Sequence, residues 1–439
     1  MAGRYQVYPE YKDSGVEWLE KLPSDWQTMK VKFLLKDGSE GIKIGPFGSA
    51  LKLEDMVKKG IRVYGQENVI KRNFTLGKRF ISEKKYSEMK AYTADVGDIL
   101  ITMMGTSGKC QVVPTDADLG IIDSHLLKIR TNKRILPELF RLLVDEAQEV
   151  KDQIGKQGKG SIMHGLNSTI VKDLEFPLPS VSEQRQILNF LDHETAKIDT
   201  LIAKQEKLIA LLKEKRQAVI SHAVTRGIPN KEQPNVPMKD SGVEWLGEVP
   251  EHWRVVKLSY FLKLQSGDTI TSSLIEKEGE YPVFGGNGQR GFTSSYNCNG
   301  EYVLIGRQGA LCGNINIAKN KFFASEHAVV VYPYVEFNLT FISEFLRFMN
   351  LGQYSVSAAQ PGISVERIKG LKIAIPPVDE QIKIANYLEN KITTFEQLTE
   401  KAMYQISLLK ERKTALISAA VTGKIDVRHF ALKEEVNHG

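Results

Sequence analysis

Apolar residues return every three or four positions along two stretches of the chain, each more than forty residues long. In the first, a seam at 191, 194, 198, 201, 205, 208, 212, 215 and 219 is filled largely by Leu191, Ile198, Leu201, Leu208, Leu212 and Val219. In the second, Leu388, Phe395, Leu398, Leu409 and Leu416 hold equivalent places. A 3.5-residue period kept up for about four heptads predicts two long helices, 179–226 and 376–423, packed along each other. Pro179 and Pro376 end the preceding segments, Ser182 and Asp379 are the predicted N-caps, and Gly227 and Gly423 mark the C-terminal ends. The seam also holds Glu194, Gln205 and Lys215, and in the second copy Lys391, Gln405 and Arg412. These polar positions either face solvent at a bundle edge, or fix register and meet a docking protein. At ~1.5 Å per residue, 43 helical residues of each repeat span ~64 Å, close to two ~34 Å turns of B-DNA.

Ahead of each long helix the pattern shortens. IKIGPFGSALK, RVYGQENV, GDILITMMG and GIIDSHLLKIR alternate like short strands cut by Gly and Asp turns. The second half follows in the same style with EYPVFGGNGQRGF, GEYVLIGRQGALCGNINIA and FFASEHAVVVY. Amphipathic helices are expected from Pro137 and over LTFISEFLRFMN. GIPNKEQPNVPM has no periodicity and reads as a linker. The expected division is a mixed domain over 1–178, a long helix over 179–226, a linker over 227–237, a second mixed domain over 238–375, the other long helix over 376–423 and a tail over 424–439. The class is α+β.

The two halves are one frame written twice. KDSGVEWL at 12–19 returns at 239–246, with Pro23 and Trp26 answered by Pro250 and Trp253. Residues 183–225 laid on 380–422 without a gap match at 18 of 43 positions. The offsets differ, 239 − 12 = 227 against 380 − 183 = 197, so the interiors differ in length by 30 residues. A duplicated frame with unlike contents suits gripping two different things. Trp18, Trp26, Trp245 and Trp253 belong to the frame and are expected as core anchors.

Composition narrows the class. With 439 residues, 42% hydrophobic and 26% charged, the chain can bury two or three cores. Cys110, Cys298 and Cys312 form no CxxC pair, and no apolar run approaches the ~20 residues of a membrane span, so the expectation is a cytoplasmic protein without disulfides or a thiolate zinc site. The net charge of +6 is unevenly spread: 30–90 holds 15 Lys and Arg against 7 Asp and Glu, whereas 255–375 holds 11 against 9. The first stretch suits phosphate.

Catalytic motifs are approached and missed. GTSGKC at 105–110 lacks the phosphate-loop Gly and hydroxyl, having Met103 and Cys110 instead. GGNGQRG fits GxGxxG in letters, yet FTSSYN follows where a helix is required. There is no HExxH, and IPPV at 375–378 puts Ile375 where an amino-methyltransferase needs a polar group. The expectation is a non-catalytic chain with no metal and no cofactor of its own.

What remains is a set of Gly-flanked polar loops. Lys43, Ser49 and Lys52 in and before GPFGSALK, Gln66 and Asn68 in GQEN, Ser107 and Lys109 in TSGK, and Lys156, Gln157 and Lys159 in GKQGKG are candidate DNA contacts of the first half. Asn287, Gln289 and Arg290, with Arg307 and Gln308, are those of the second. Arg reads guanine and Asn or Gln reads adenine by paired hydrogen bonds. Asn287-Gly288 is equally a hairpin turn, and His125 and His327, each beside an apolar strand, are either hydrogen-bonded core residues or DNA contacts.

With the repeated KDSGVEWL…P..W blocks, the paired P…EQ…I..(F/Y)L helices and the loops YPVFGGNGQRGF and VLIGRQGALCGN, the chain resembles the specificity subunit of type I restriction-modification systems, from about Tyr11 to Val427. The resemblance implies two mixed α/β target recognition domains related by an internal two-fold pseudo-repeat. They are separated by two long helices packed as an antiparallel coiled coil, and each reads one half of a split, asymmetric DNA site while the helices set the gap. It implies double-stranded DNA, two modification (methyltransferase) subunits docked on the helices through the seam residues above, and restriction (translocase and nuclease) subunits as partners. S-adenosylmethionine would be held by the modification subunit, which methylates adenine N6 on a flipped base, and ATP with Mg by the restriction subunit. Two rival readings stand beside it: a non-catalytic repeat scaffold joining two protein partners without DNA readout, and a self-sufficient methyltransferase.

Overall fold

The computed structural model describes residues 5–47, 50–158, 166–229, 236–309, 311–355 and 362–430, the side chains of 157 and 158 excepted. The chain forms two compact units. The first takes Met1–Lys204 and Gln405–Gly439, the second Gln205–Tyr404. Each long helix is therefore shared, one half in each unit.

The helices run Val181–Arg226 and Val378–Val421. Their N-caps are not Ser182 and Asp379. Ser180 Oγ accepts the Glu183 N–H at 3.3 Å, and the Pro377 carbonyl accepts from Glu380 and Gln381 at 3.0 Å each. Both expected caps lie inside the first turn, because the oxygen able to reach the third amide sits immediately after the strand-ending prolines Pro179 and Pro376. Gly227 and Gly423 do close the helices, with φ of +83° and +74°.

In the first unit an antiparallel sheet orders Ile42–Ile44, Leu126–Ile129, Ile99–Thr102 and Cys110–Val112. A second sheet sets Gly120–Ile122 parallel to Ile61–Tyr64, followed by Phe80–Ile81 and Met56–Val57. The second unit repeats both. Leu262–Ser266, Ala328–Pro333, Tyr302–Gly306 and Ile315–Ala318 make its antiparallel sheet. Tyr281–Gly285 there runs parallel to Lys321–Ala324 and antiparallel to Gly288–Thr293. Trp26 and Trp253 are sealed in their cores, as expected of frame anchors, whereas Trp18 and Trp245 pack at the margin, half-buried.

Within the first unit Ile187, Phe190, Leu191 and Ile198 share a core with Leu416, Ile417, Ala420 and Val421. Asp199 pairs with Lys413 at 2.7 Å, and the earlier residues 187–198 meet the later residues 416–421, so rising numbers on one helix meet falling numbers on the other: the packing is antiparallel. In the second unit Ile220, Ala223 and Val224 join Ile384 and Leu388. Leu191, Ile198, Leu212, Leu388, Phe395 and Leu416 are thus spent on packing inside the chain, which corrects their assignment as partner-docking side chains. Leu409 is half-buried. The seam opens at Leu201, Leu208 and Leu398, which are 46%, 43% and 43% exposed.

The repeated letters have a mechanical reason. In KDSG the Asp13 and Asp240 carboxylates accept the amides of Gly15 and Gly242, which turn at φ +75° and +63°. In the EQ pair at each helix start, Gln184 accepts the Leu136 amide at 2.8 Å and donates to the Arg134 and Pro179 carbonyls. Gln381 likewise accepts from Asn338 at 2.9 Å and donates to Pro376 at 3.0 Å. Each glutamine ties a long helix to the first residues of the amphipathic helix beside it, Pro137–Asp145 or Leu339–Phe348.

Candidate nucleic-acid interface

The loops at one end of each antiparallel sheet are held by the same hydrogen bonds in both units. Gly45 N–H donates to Leu126 O at 2.9 Å, and Gly267 to Ala328 O at 3.0 Å. Asp123 donates to Tyr64 O, and Ser325 to Phe284 O, both at 2.9 Å. Met103 donates to His125 O at 3.0 Å, and Arg307 to His327 O at 2.8 Å. The Met103 and Arg307 carbonyls in turn accept from Leu166 and Ile363, both at 2.9 Å. A β-carbon on Gly45 would overlap the Asp123 carbonyl, and one on Gly267 the carbonyls of Ala324 and Ser325, so glycine lets the loops close on each other. His125 and His327 belong to this frame through their backbones.

On the shared frame the side chains differ. In the second unit Asn287 is exposed in the two-residue turn between Gly285 and Gly288, and Gln289 and Arg290 project from the strand after it. That strand is why the GxGxxG letters hold no dinucleotide turn. Bare Gly285 leaves room for the Arg290 stem, which a β-carbon would strike. Arg307 is exposed and donates to Ser266 Oγ at 3.3 Å, Gln308 and Gly309 are exposed beside it, and the His327 imidazole lies 3.3 Å from Glu326. These loops, brought together from Ser266, Gly286, Arg307 and His327, present Arg, Gln and Asn on one rim.

The first unit's rim is charged differently. Lys43 lies over the Tyr92 ring at 5.2 Å, and Lys52 and Ser107 are exposed. Lys109 pairs with the buried Asp145 at 2.8 Å, a carboxylate it shares with Arg72 at 3.1 Å, so its ammonium is partly committed to the protein. Lys156 is exposed, 3.9 Å from Glu17. Gln66 is half-buried in a short helix. Asn68 corrects the expectation outright: it is 1% exposed, accepts the Gly65 amide at 2.9 Å and donates to Asn73 and Leu76 carbonyls at 3.1 and 3.0 Å. With its amide consumed in bracing the turn, it has nothing to offer a base edge. Ser49, Lys159 and the side chain of Gln157 lie outside the described residues.

Part of the basic surplus over 30–90 is neutralised in place. Arg62 pairs with Asp118 at 2.8 Å, Arg79 with Asp123 at 2.9 Å and Arg72 with Glu146 at 2.7 Å. Behind the rim, burial holds the Lys128 ammonium below its ordinary range against the opposing pull of Asp98. Sequence reading missed Asp123, which holds Arg79 and accepts the His125 amide at 3.0 Å. It also missed the equivalence of LITMMG with LIGRQG, although in both an apolar strand meets a glycine at φ +66° or +96°. Among the described residues no helix is long and apolar enough to cross a membrane.

Comparison with known proteins agrees with this duplicated geometry. A family model described as the type I restriction modification DNA specificity domain matches residues 38–210 and again 250–406. The type I restriction enzyme EcoprrI specificity subunit of Escherichia coli is 42% identical over 147 residues, covering 33% of this chain and 37% of that protein. A Methanocaldococcus jannaschii protein described as the type I restriction enzyme MjaX specificity subunit is 24% identical over 446 aligned positions, covering 95% of this chain and 98% of that one. Among solved structures, a chain from work on complex assembly and conformational transition of the type I R-M system superposes with a TM-score of 0.71 at 16% identity, covering 92% of this chain and 99% of that one. Since the family model matches both halves, most of the sequence in all, the chain belongs to the family of type I restriction-modification DNA specificity subunits.

Proposed function

We propose that each unit reads one half of a bipartite, asymmetric DNA site, that the paired helices set the gap between the halves, and that the chain is the non-catalytic, cytoplasmic reader of a larger complex. The carrying observation is the set of equivalent loop hydrogen bonds that presents Arg307 and Gln308 in one unit and Met104 in the other. Identical frames with different side chains are what two different half-sites require. Modification subunits would supply S-adenosylmethionine and the base-flipping chemistry, and restriction subunits the ATP-driven steps. Docking is assigned to the apolar side chains that the helix segments leave open: Leu201 and Leu408 in the first unit, Leu208 and Leu398 in the second.

The gap is tested by length. Deleting four residues from each long helix shortens it by ~6 Å, so the preferred gap between half-sites is expected to contract by roughly two base pairs at ~3.4 Å each. Mapping methylated adenines in cells carrying the shortened chain and its modification subunit gives the answer. A gap unchanged by the deletion rejects the spacer role.

Readout is tested at Arg307. Arg307→Ala is expected to cost ~1–3 kcal/mol on the preferred duplex and to relax one position of one half-site. Uniform weakening on all duplexes, with a salt slope lower by about one, would instead make it a phosphate contact.

A further inference from the structure

The loop frame pairs positions across the two units one by one. Leu126 faces Thr102 as Ala328 faces Gly306, and the following residues, Met103 and Arg307, donate to the histidine carbonyls. The loops also close alike: Gly108 donates to Thr102 O at 2.9 Å and Gly313 to Gly306 O at 2.7 Å. Met104 therefore stands where Gln308 stands, each followed by a glycine at positive φ, Gly105 or Gly309. Met103 is buried, but Met104 is 48% exposed, and on the adjoining loop beyond Gly45 the Phe47 ring is 65% exposed. Exposing two large apolar side chains on segments that also carry Lys43, Lys52 and Lys109 has no use in packing the unit.

We propose that Met104 is a specificity-determining residue of the first unit, selecting thymine in its half-site by apolar contact with the C5 methyl group, while Gln308 at the equivalent place selects its base by hydrogen bonds. The inference rests on the DNA reading above. Of the four bases only thymine offers a methyl group in the major groove, and an unbranched thioether is suited to it. The lysines around it hold phosphate and add no preference of their own.

The test uses the full chain assembled with its modification subunits and a pool of duplexes of random sequence. Wild type is expected to select at least one invariant thymine in the first unit's half-site, and replacing that thymine by deoxyuridine to weaken binding about fourfold, the worth of one buried methyl group. Met104→Ala, a change on an exposed loop, is expected to lose both the preference and the uracil penalty. Gln308→Ala is expected to keep both while relaxing the other half-site. A Met104→Ala chain with the wild-type consensus and the wild-type uracil penalty overturns the assignment. A wild-type complex that selects no sequence overturns the DNA reading itself.

Discussion

Gln381→Ala is expected to destabilise the second unit by about 3 kcal/mol, and Gln184→Ala the first by as much. Both glutamine side chains are buried, so the loss comes from the backbone groups they leave without partners. In Gln381→Ala the Asn338 amide loses its acceptor and the Pro376 carbonyl its donor, each otherwise satisfied within 3.0 Å. In Gln184→Ala three backbone groups, on Leu136, Arg134 and Pro179, are stranded together. A buried unpaired group costs ~1–3 kcal/mol, whereas an exposed substitution on the same helix, such as Lys410→Ala, stays within about 0.5 kcal/mol. Urea unfolding of the full chain separates the two, and a Gln381→Ala loss below 1 kcal/mol would mean that the repeated EQ letters do not tie the long helices to the amphipathic helices beside them.

The second large effect is functional and divides by unit. Gly267→Ala drives a β-carbon into the Ala324 and Ser325 carbonyls, and Gly45→Ala drives one into Asp123. The obstacle is backbone, so the loops must move, at ~1–3 kcal/mol or more for forced overpacking. Gly267→Ala is expected to cost roughly tenfold or more in discrimination within the half-site read by Arg307 and Gln308, leaving the other half-site intact, and Gly45→Ala the reverse. Lying in separate units, the two changes should add in the double variant. Selection from random duplexes measures both halves at once, and equal erosion of both by either single change would contradict separate reading heads.

Much of the architecture was legible because it rests on periodicity. The long helices, their closing glycines, the doubled frame and the strand after GGNGQRG all follow from spacing and turn chemistry. Four features did not. The caps shifted to Ser180 and Pro377 because Ser, Asp and Pro all suit a helix start, and the choice depends on where the preceding strand stops. The open seam at Leu201, Leu208 and Leu398 was hidden because a heptad pattern says which face is apolar and not whether a partner reaches it. Asn68 looked like a base reader because a Gly-flanked Asn in a polar loop looks the same whether its amide points out or braces its own turn. Met104 was passed over for the opposite reason. An exposed methionine has no polar signature in the sequence, and its place is set by the backbone it shares with Gln308.

The first unit is built from both ends of the chain. Tyr8 donates to Glu183 at 2.7 Å, Asp426 donates to the Gln6 carbonyl at 2.8 Å, and Phe190 meets Phe430, while the second unit is one uninterrupted run, Gln205–Tyr404. On the ribosome this reverses the usual order, in which the N-terminal domain is finished first. The lobe translated later can close as soon as it emerges, but the earlier one must wait, with Phe190, Leu191 and Ile198 uncovered, for the segment from Gln405 onward. A chain released after residue 404 would carry every residue of the second lobe and lack part of the first.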